Sequence, residues 1–209
     1  CKKALAESDD MDGAVAYLRK KGQAVAAKRS DREAAEGCVL VKVADGFGAI
    51  IALKCETDFV ANNADFVALA QQILDAAVAN KCKSLEEVNA LPMGDGTVAD
   101  AVTARSGITG EKMELDGYSY IEGDNICTYN HMNRNGLCAM VAFNAPVEAE
   151  VGKNVAMQVA SAAPVAIDET GVPQAVKDNE IAVAIDKTKA EQIQKAVEAA
   201  LKKAGINPA

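Results

Sequence analysis

The chain has 209 residues, half of them hydrophobic, and a formal net charge of −8 with a single histidine and six cysteines. That length and apolar content support a globular fold with one sizeable core or two small ones. The acidic balance argues against direct binding of nucleic acid, which relies on clustered Lys and Arg to neutralise phosphates. No stretch approaches the roughly 18 unbroken apolar residues of a membrane span, and none has the charged, apolar and small-residue succession of a signal peptide. The cysteines, at 1, 38, 55, 82, 127 and 138, form no CxxC pair. With only His131 beside them, their spacing advertises no zinc site, and reduced thiols in a cytoplasmic setting are the simpler reading.

Residues 1–22, "CKKALAESDDMDGAVAYLRKKG", read as part of one helix, a turn at Ser8 to Asp10, and a second helix on which Ala14, Val15 and Leu18 share a face before Gly22 stops it. Two such short helices bury too little apolar surface to stand alone, so they lean on another surface or on a helix upstream. "QAVAAKRSDREAAEG" follows, with Lys28, Arg29 and Arg32 among small residues and no wide apolar face; it reads as a linker with a solvated basic surface. From Cys38 the period becomes that of strands. "CVLVKV" and "FGAIIALKC" flank an Asp45-Gly46 pair, a strong short-range signal for a β-hairpin.

Where the second strand gives out stands "ETDFVANNADF". Thr57 can cap a helical turn with Asp58 near its positive end. Phe59 and Val60 then have two readings, as core residues or as an exposed aromatic anchor on a rigid strand end, the kind of group that dominates interface energies. Phe66, Leu69, Ala70, Ile73, Leu74 and Ala77 recur at helical spacing and predict an amphipathic helix over 64–79. Short helices are expected around "SLEEVNAL" and "VADAVTARSG", with the intervening "GDGTVAD" a loop. "EKMELDGYSYIEG" alternates as a strand. "NICTYNH" and "LCAMVAF" form a second hairpin around "MNRNG", followed by the amphipathic run "EVGKNVAMQVASA". A hairpin followed by a helix thus occurs twice, the pattern of two related α+β halves. The tail from Val172 is helical, with Gly205 and Pro208 as its stop. A chain that opens inside a helix and ends just beyond a long one reads as a fragment lacking both ends.

Few residues suggest catalysis. Cys55 with His131 is the sharpest nucleophile and base pair available, yet a thiol filling a strand end and a partly exposed turn histidine are the commoner readings of the two residues. Neither GxxxxGK[ST] nor GxGxxG occurs, so no phosphate cradle is recognisable, and Asp9, Asp10 and Asp12 lack the calcium-loop pattern and read as helix-start charges.

"ETDFVANNADF", together with the N-terminal "CKKALAESDDMDGAVAYLRKKG" and the later "YNHMNRNGLCAMVAF" and "VAMQVASAAP", closely resembles the translation elongation factor Ts family, in the right order over most of residues 1–170. The resemblance implies an α+β protein with a partial ubiquitin-associated-like helical module at 1–22 and a linker at 23–37. A core subdomain at 38–110 and a second at 111–209 would follow, each a small antiparallel sheet with packed helices, the second running into a helical hairpin. It implies a non-enzymatic guanine nucleotide exchange factor that binds the GTPase elongation factor Tu, needs no cofactor, and in some members forms a homodimer. Thr57, Asp58, Phe59 and Val60 match the segment that reaches the partner's magnesium and phosphate site. Further contacts are implied at Leu18, Arg19 and Gly22, and at Met157, Gln158 and Ser161. The last helix departs from the common family form, with Gln158 in place of His and Ala163 in place of Lys. The main alternative reading is a helical interaction module on an α+β scaffold that serves another partner.

Overall fold

Asp45 and Gly46 both take positive φ, 50° and 72°, which closes the first hairpin with a two-residue turn matched to the twist of its strands. Strands β1 (Glu36–Ala44) and β2 (Phe47–Cys55) pair antiparallel in unbroken register from Ala44↔Phe47 to Glu36↔Cys55. This computed structural model describes residues 2–8, 10–29 and 31–204, which fall into two compact units, Cys1–Ala162 and Ala163–Ala209.

In the first unit β2 is the central strand. Phe47, Ala49, Ile51, Leu53 and Cys55 alternate onto one face and are completely buried there. After the four-residue helix α3 (Asp58–Ala61), helix α4 (Ala64–Ala79) lays Phe66, Ala70, Ile73, Leu74 and Ala77 over that face, and its limits are those the periodicity predicts. Burying side chains of this size stabilises by about 1.5–3 kcal/mol each, so the β2–α4 contact dominates the core. Helix α5 (Leu85–Ala90) is capped by Ser84 and contributes the buried Val88 to the same core. Of the loop expected at "GDGTVAD", only Gly94 and Asp95 are the tip of a small hairpin, β3 (Pro92–Met93) and β4 (Gly96–Thr97), and Val98 to Asp100 already begin the next helix. Thr97 and Asp100 then form a reciprocal capping box that starts α6 (Val98–Thr109), and Gly110 at φ 80° ends it.

Strand β5 (Glu114–Glu122) lies beyond residue 110 in the chain but pairs with the other edge of β2, giving a sheet of order β1-β2-β5. Leu115 and Met113 complete the core from this side. The second hairpin, β6 (Asn125–Asn130) and β7 (Cys138–Phe143), forms a separate two-stranded sheet against which α7 (Ala149–Ala162) packs. It meets the first sheet at Gly48, where a Cβ would come within 3.3 Å of Ile126 and 3.4 Å of the Met140 sulfur. The hairpin-then-helix order read twice in the sequence is therefore present twice in the fold.

The N-terminal helices are α1 (Lys2–Ala6) and α2 (Met11–Ala27), with Asp10 Oδ1 accepting from the Gly13 amide at 2.6 Å. Gly22 does not stop α2, contrary to the sequence reading. The helix runs five residues further because Gly22 serves as a crossing point, with its Cα against Gly107 of α6. The irregular connection to β1 accordingly begins at Lys28. This crossing is the surface the short helices needed. Asp9 lies outside the described residues, as do Gly205 and Pro208.

In the second unit Asp168 Oδ1 accepts from the Thr170 and Gly171 amides, forming a turn before α8 (Gln174–Lys203). No side chain of α8 is buried, and Ile181, Ile185, Ile193 and Val197 are exposed along it. No helix among the described residues is long and apolar enough to cross a membrane.

The crossing is asymmetric, and its asymmetry is measurable. A Cβ on Gly107 would sit 2.7 Å from the Gly22 Cα, whereas one on Gly22 would sit 3.7 Å from the Gly107 Cα. Gly107→Ala is expected to destabilise by about 1–3 kcal/mol in denaturant unfolding through overpacking. Gly22→Ala is expected to be neutral or to stabilise by up to about 1 kcal/mol, as the better helix former.

Candidate functional site

Strand β2 ends at Cys55, and the next residues are held by carboxylates on both sides of the contact. Glu111, just past the end of α6, accepts the Glu56 and Thr57 amides at 3.1 Å each through Oε2 and the Thr57 hydroxyl at 2.6 Å through Oε1. Glu56 reciprocates by accepting the Lys112 amide at 2.6 Å and pairing with Arg32 Nη1 at 3.0 Å. The Lys112 hydrogen bond, with Arg32 beside it, holds the Glu56 carboxyl below the usual carboxylate range. The loop that supplies Glu111 is itself fastened, because the buried Ser106 hydroxyl donates to the Glu111 carbonyl at 2.5 Å. The Arg29 guanidinium lies against Gly110, 3.3 Å from where a Cβ would stand.

From this anchor Thr57 caps α3 as its sequence predicts, its Oγ1 accepting the Val60 amide. One turn then divides its side chains. Val60 and Ala61 pack partly against the core, while Asp58 is exposed and Phe59 is 85% exposed. The alternatives left open for the pair Phe59 and Val60 thus separate, the first residue facing solvent and the second the core. Asn62 Nδ2 closes the turn by donating to the Asp58 carbonyl at 2.8 Å. Asn63 caps α4, and Arg105 of α6 donates to its side chain at 2.9 Å and pairs with Asp65 at 3.0 Å. Beside Asp58 an open groove of about 670 Å³ runs between α3 and the turn of the second hairpin, lined also by Glu36, Val67 and Arg134.

The remaining candidate residues stand on other elements. Leu18 is partly exposed on α2, and Arg19 and Gly22 follow on the same helix, Gly22 at the crossing with α6. On α7, Met157, Gln158 and Ser161 are exposed, opposite Gly152 and Ala156, which are buried on the hairpin side. The structure therefore distributes the candidates over α2, α3 and α7. Each set falls within about one turn of its own element.

Cys55 and His131 engage different partners. The Cys55 thiol is completely buried and donates to the Thr57 carbonyl at 3.3 Å, and burial, aided by the negative charge of Glu111, pushes it up to about 11. His131 is exposed in the 3-10 turn His131–Asn133, with its Nδ1 3.0 Å from the Tyr129 hydroxyl. No group of three or more His, Cys, Asp or Glu that could hold a metal ion occurs among the described residues.

Sequence reasoning missed Glu56 and Glu111. Their pairing spans 55 positions, and neither hydrophobic period nor capping rule marks a loop carboxylate whose partners are amides on another element.

The profile of the family described as "Elongation factor TS" matches residues 56–205. Over 100% of its length the chain is 72% identical to elongation factor Ts of Bacteroides fragilis and 68% identical to that of Bacteroides thetaiotaomicron. It is 52% identical to elongation factor Ts of Porphyromonas gingivalis over 189 residues, 90% of this chain and 69% of that protein. The chain spans 64% of the length of the two Bacteroides relatives.

Because Phe59 is exposed, Phe59→Ala is expected to change unfolding free energy by less than about 0.5 kcal/mol, as is usual at the surface. Glu56 behaves differently. A carboxyl held below its unfolded value contributes stability that is complete above about pH 4.5 and disappears as pH falls through the folded value. Glu56→Gln is therefore expected to be less stable than wild type in denaturant unfolding at pH 7, the difference shrinking as the pH is lowered below about 4.

Proposed function

The chain belongs to the elongation factor Ts family, and on that premise we propose that it acts in translation elongation in the cytoplasm as a guanine nucleotide exchange factor for elongation factor Tu. The observation that carries this reading is Phe59, a large ring 85% exposed on a capped turn that is fastened at its base. An apolar ring gains little from such a position in the free protein. It gains about 1.5–3 kcal/mol when a partner covers it. Inserted beside the partner's magnesium and phosphate site, Phe59 parts the side chains that hold the ion, and Asp58 adds a negative charge next to it. Nucleotide held through that ion is loosened.

One ring does not suffice. Loosening a nucleotide about a thousandfold requires roughly 4 kcal/mol of coupling, at about 1.4 kcal/mol per decade. The rest comes from a wider interface, to which we assign Leu18, Arg19 and Gly22 on α2 and Met157, Gln158 and Ser161 on α7. Gln158 offers an amide where the common family form has an imidazole, so that contact is a neutral hydrogen bond at any physiological pH. Binding energies are reciprocal. Whatever factor this protein imposes on nucleotide affinity, nucleotide imposes on its binding, and incoming GTP displaces it.

The test is stopped-flow release of a fluorescent GDP analogue from elongation factor Tu. Wild type is expected to accelerate release, Phe59→Ala to lose most of the acceleration while remaining folded, and Asp58→Asn to lose less. Equal rates with and without the wild-type protein would overturn the proposal.

A further inference from the structure

We propose that Glu111 is a positioning residue for Phe59: its carboxylate holds the backbone at Glu56 and Thr57 and so sets where the ring stands. The inference rests on the exchange reading of Phe59 and adds to it a residue outside the "TDFVA" stretch.

A four-residue helix has too few internal hydrogen bonds to hold itself, and α3 buries none of its side chains completely. Phe59 has almost no neighbours of its own, and Val60 and Ala61 are only partly covered by the core. The placement of the ring is therefore inherited from the backbone immediately before it. There one carboxylate accepts the Glu56 amide, the Thr57 amide and the Thr57 hydroxyl, and hydrogen bonds to an ionised acceptor are the stronger kind. The same hydroxyl caps α3 through the Val60 amide, so the clamp extends into the turn that carries the ring. Glu56 locks the other side through the Lys112 amide. An anchor held this way enters a partner without first being ordered, and ordering a free aromatic turn at the moment of binding would subtract from its effect.

Glu111 also stands one residue beyond Gly110, against which Arg29 lies, while Arg32 pairs with Glu56. The chain leaving α2 and the chain leaving α6 thus meet at the base of the anchor. Arg29 and Arg32 bring the connection after α2 beside the Glu56–Glu111 contact.

The experiment combines GDP release with amide hydrogen exchange over residues 56–61, using the full chain as wild type, Glu111→Gln, Phe59→Ala and the double variant. Glutamine keeps the shape and one acceptor oxygen for the two amides, but it removes the charge and sets a donor against the Thr57 hydroxyl, which donates to Glu111. The expected results are about a tenfold loss of acceleration for Glu111→Gln, the scale of one charge-assisted hydrogen bond, and no further loss when Phe59 is already Ala. Protection of the Glu56 and Thr57 amides should fall while the β1–β2 hairpin stays protected. Thr57→Val and Thr57→Ser provide a second pair: valine should lose acceleration and serine should restore most of it. Full acceleration by Glu111→Gln, equal losses in the two Phe59 backgrounds, or unchanged protection at residues 56–61 would each overturn the proposal. Should wild type itself fail to accelerate release, the exchange reading fails, and hydrogen exchange alone then decides whether Glu111 anchors the turn.

Discussion

The buried face of β2 is the constraint from which the rest of the first unit follows. Phe47 to Cys55 alternate under α4 with no exposure on the core side, so the strand has neither freedom to slip nor freedom to tilt. A one-residue shift would turn that whole face to solvent. Because the strand is immobile its end is also immobile, and the residues immediately after Cys55 begin from a defined point. That is an unusual place for a solvent-facing phenylalanine, and it becomes intelligible once the ring is regarded as cargo on a rigid support.

What converts a strand end into a support is polar chemistry. Glu56 and Glu111 each reach across to main-chain amides of the other's segment, so donors that the end of the ladder would leave unpaired are satisfied by charged acceptors. The arrangement explains why β5, though remote in sequence, must join the first sheet. Residues 110–113 connect α6 to β5, and the pairing of β5 with β2 holds that connection beside Glu56. The Ser106 hydrogen bond to the Glu111 carbonyl fastens the same connection from the α6 side.

The helical module enters through a different physical device. Gly22 and Gly107 let two helix backbones touch, although the sequence alone presents Gly22 as a helix stop. Ala4 and Ala14 are buried on α1 and α2, and close backbone approach at the crossing adds dispersion contact that larger side chains would prevent. The module is thereby connected through α6 to Glu111 and from there to the turn at Thr57.

By itself the sequence determined the local structure: the first hairpin from Asp45-Gly46, α4 from its apolar spacing, the cap at Thr57, the repeated order of hairpin and helix, and the family from four ordered stretches. These are written in neighbouring residues, where turn chemistry and periodicity act over a few positions. Only the tertiary structure decided that Phe59 faces solvent while Val60 packs inward, that Gly22 is a crossing point, that β5 completes the first sheet, and that Glu111 grips residues 55 positions away. Each of these depends on which distant segment arrives alongside, and that is settled by the burial of a common core, for which no short stretch of sequence carries a mark.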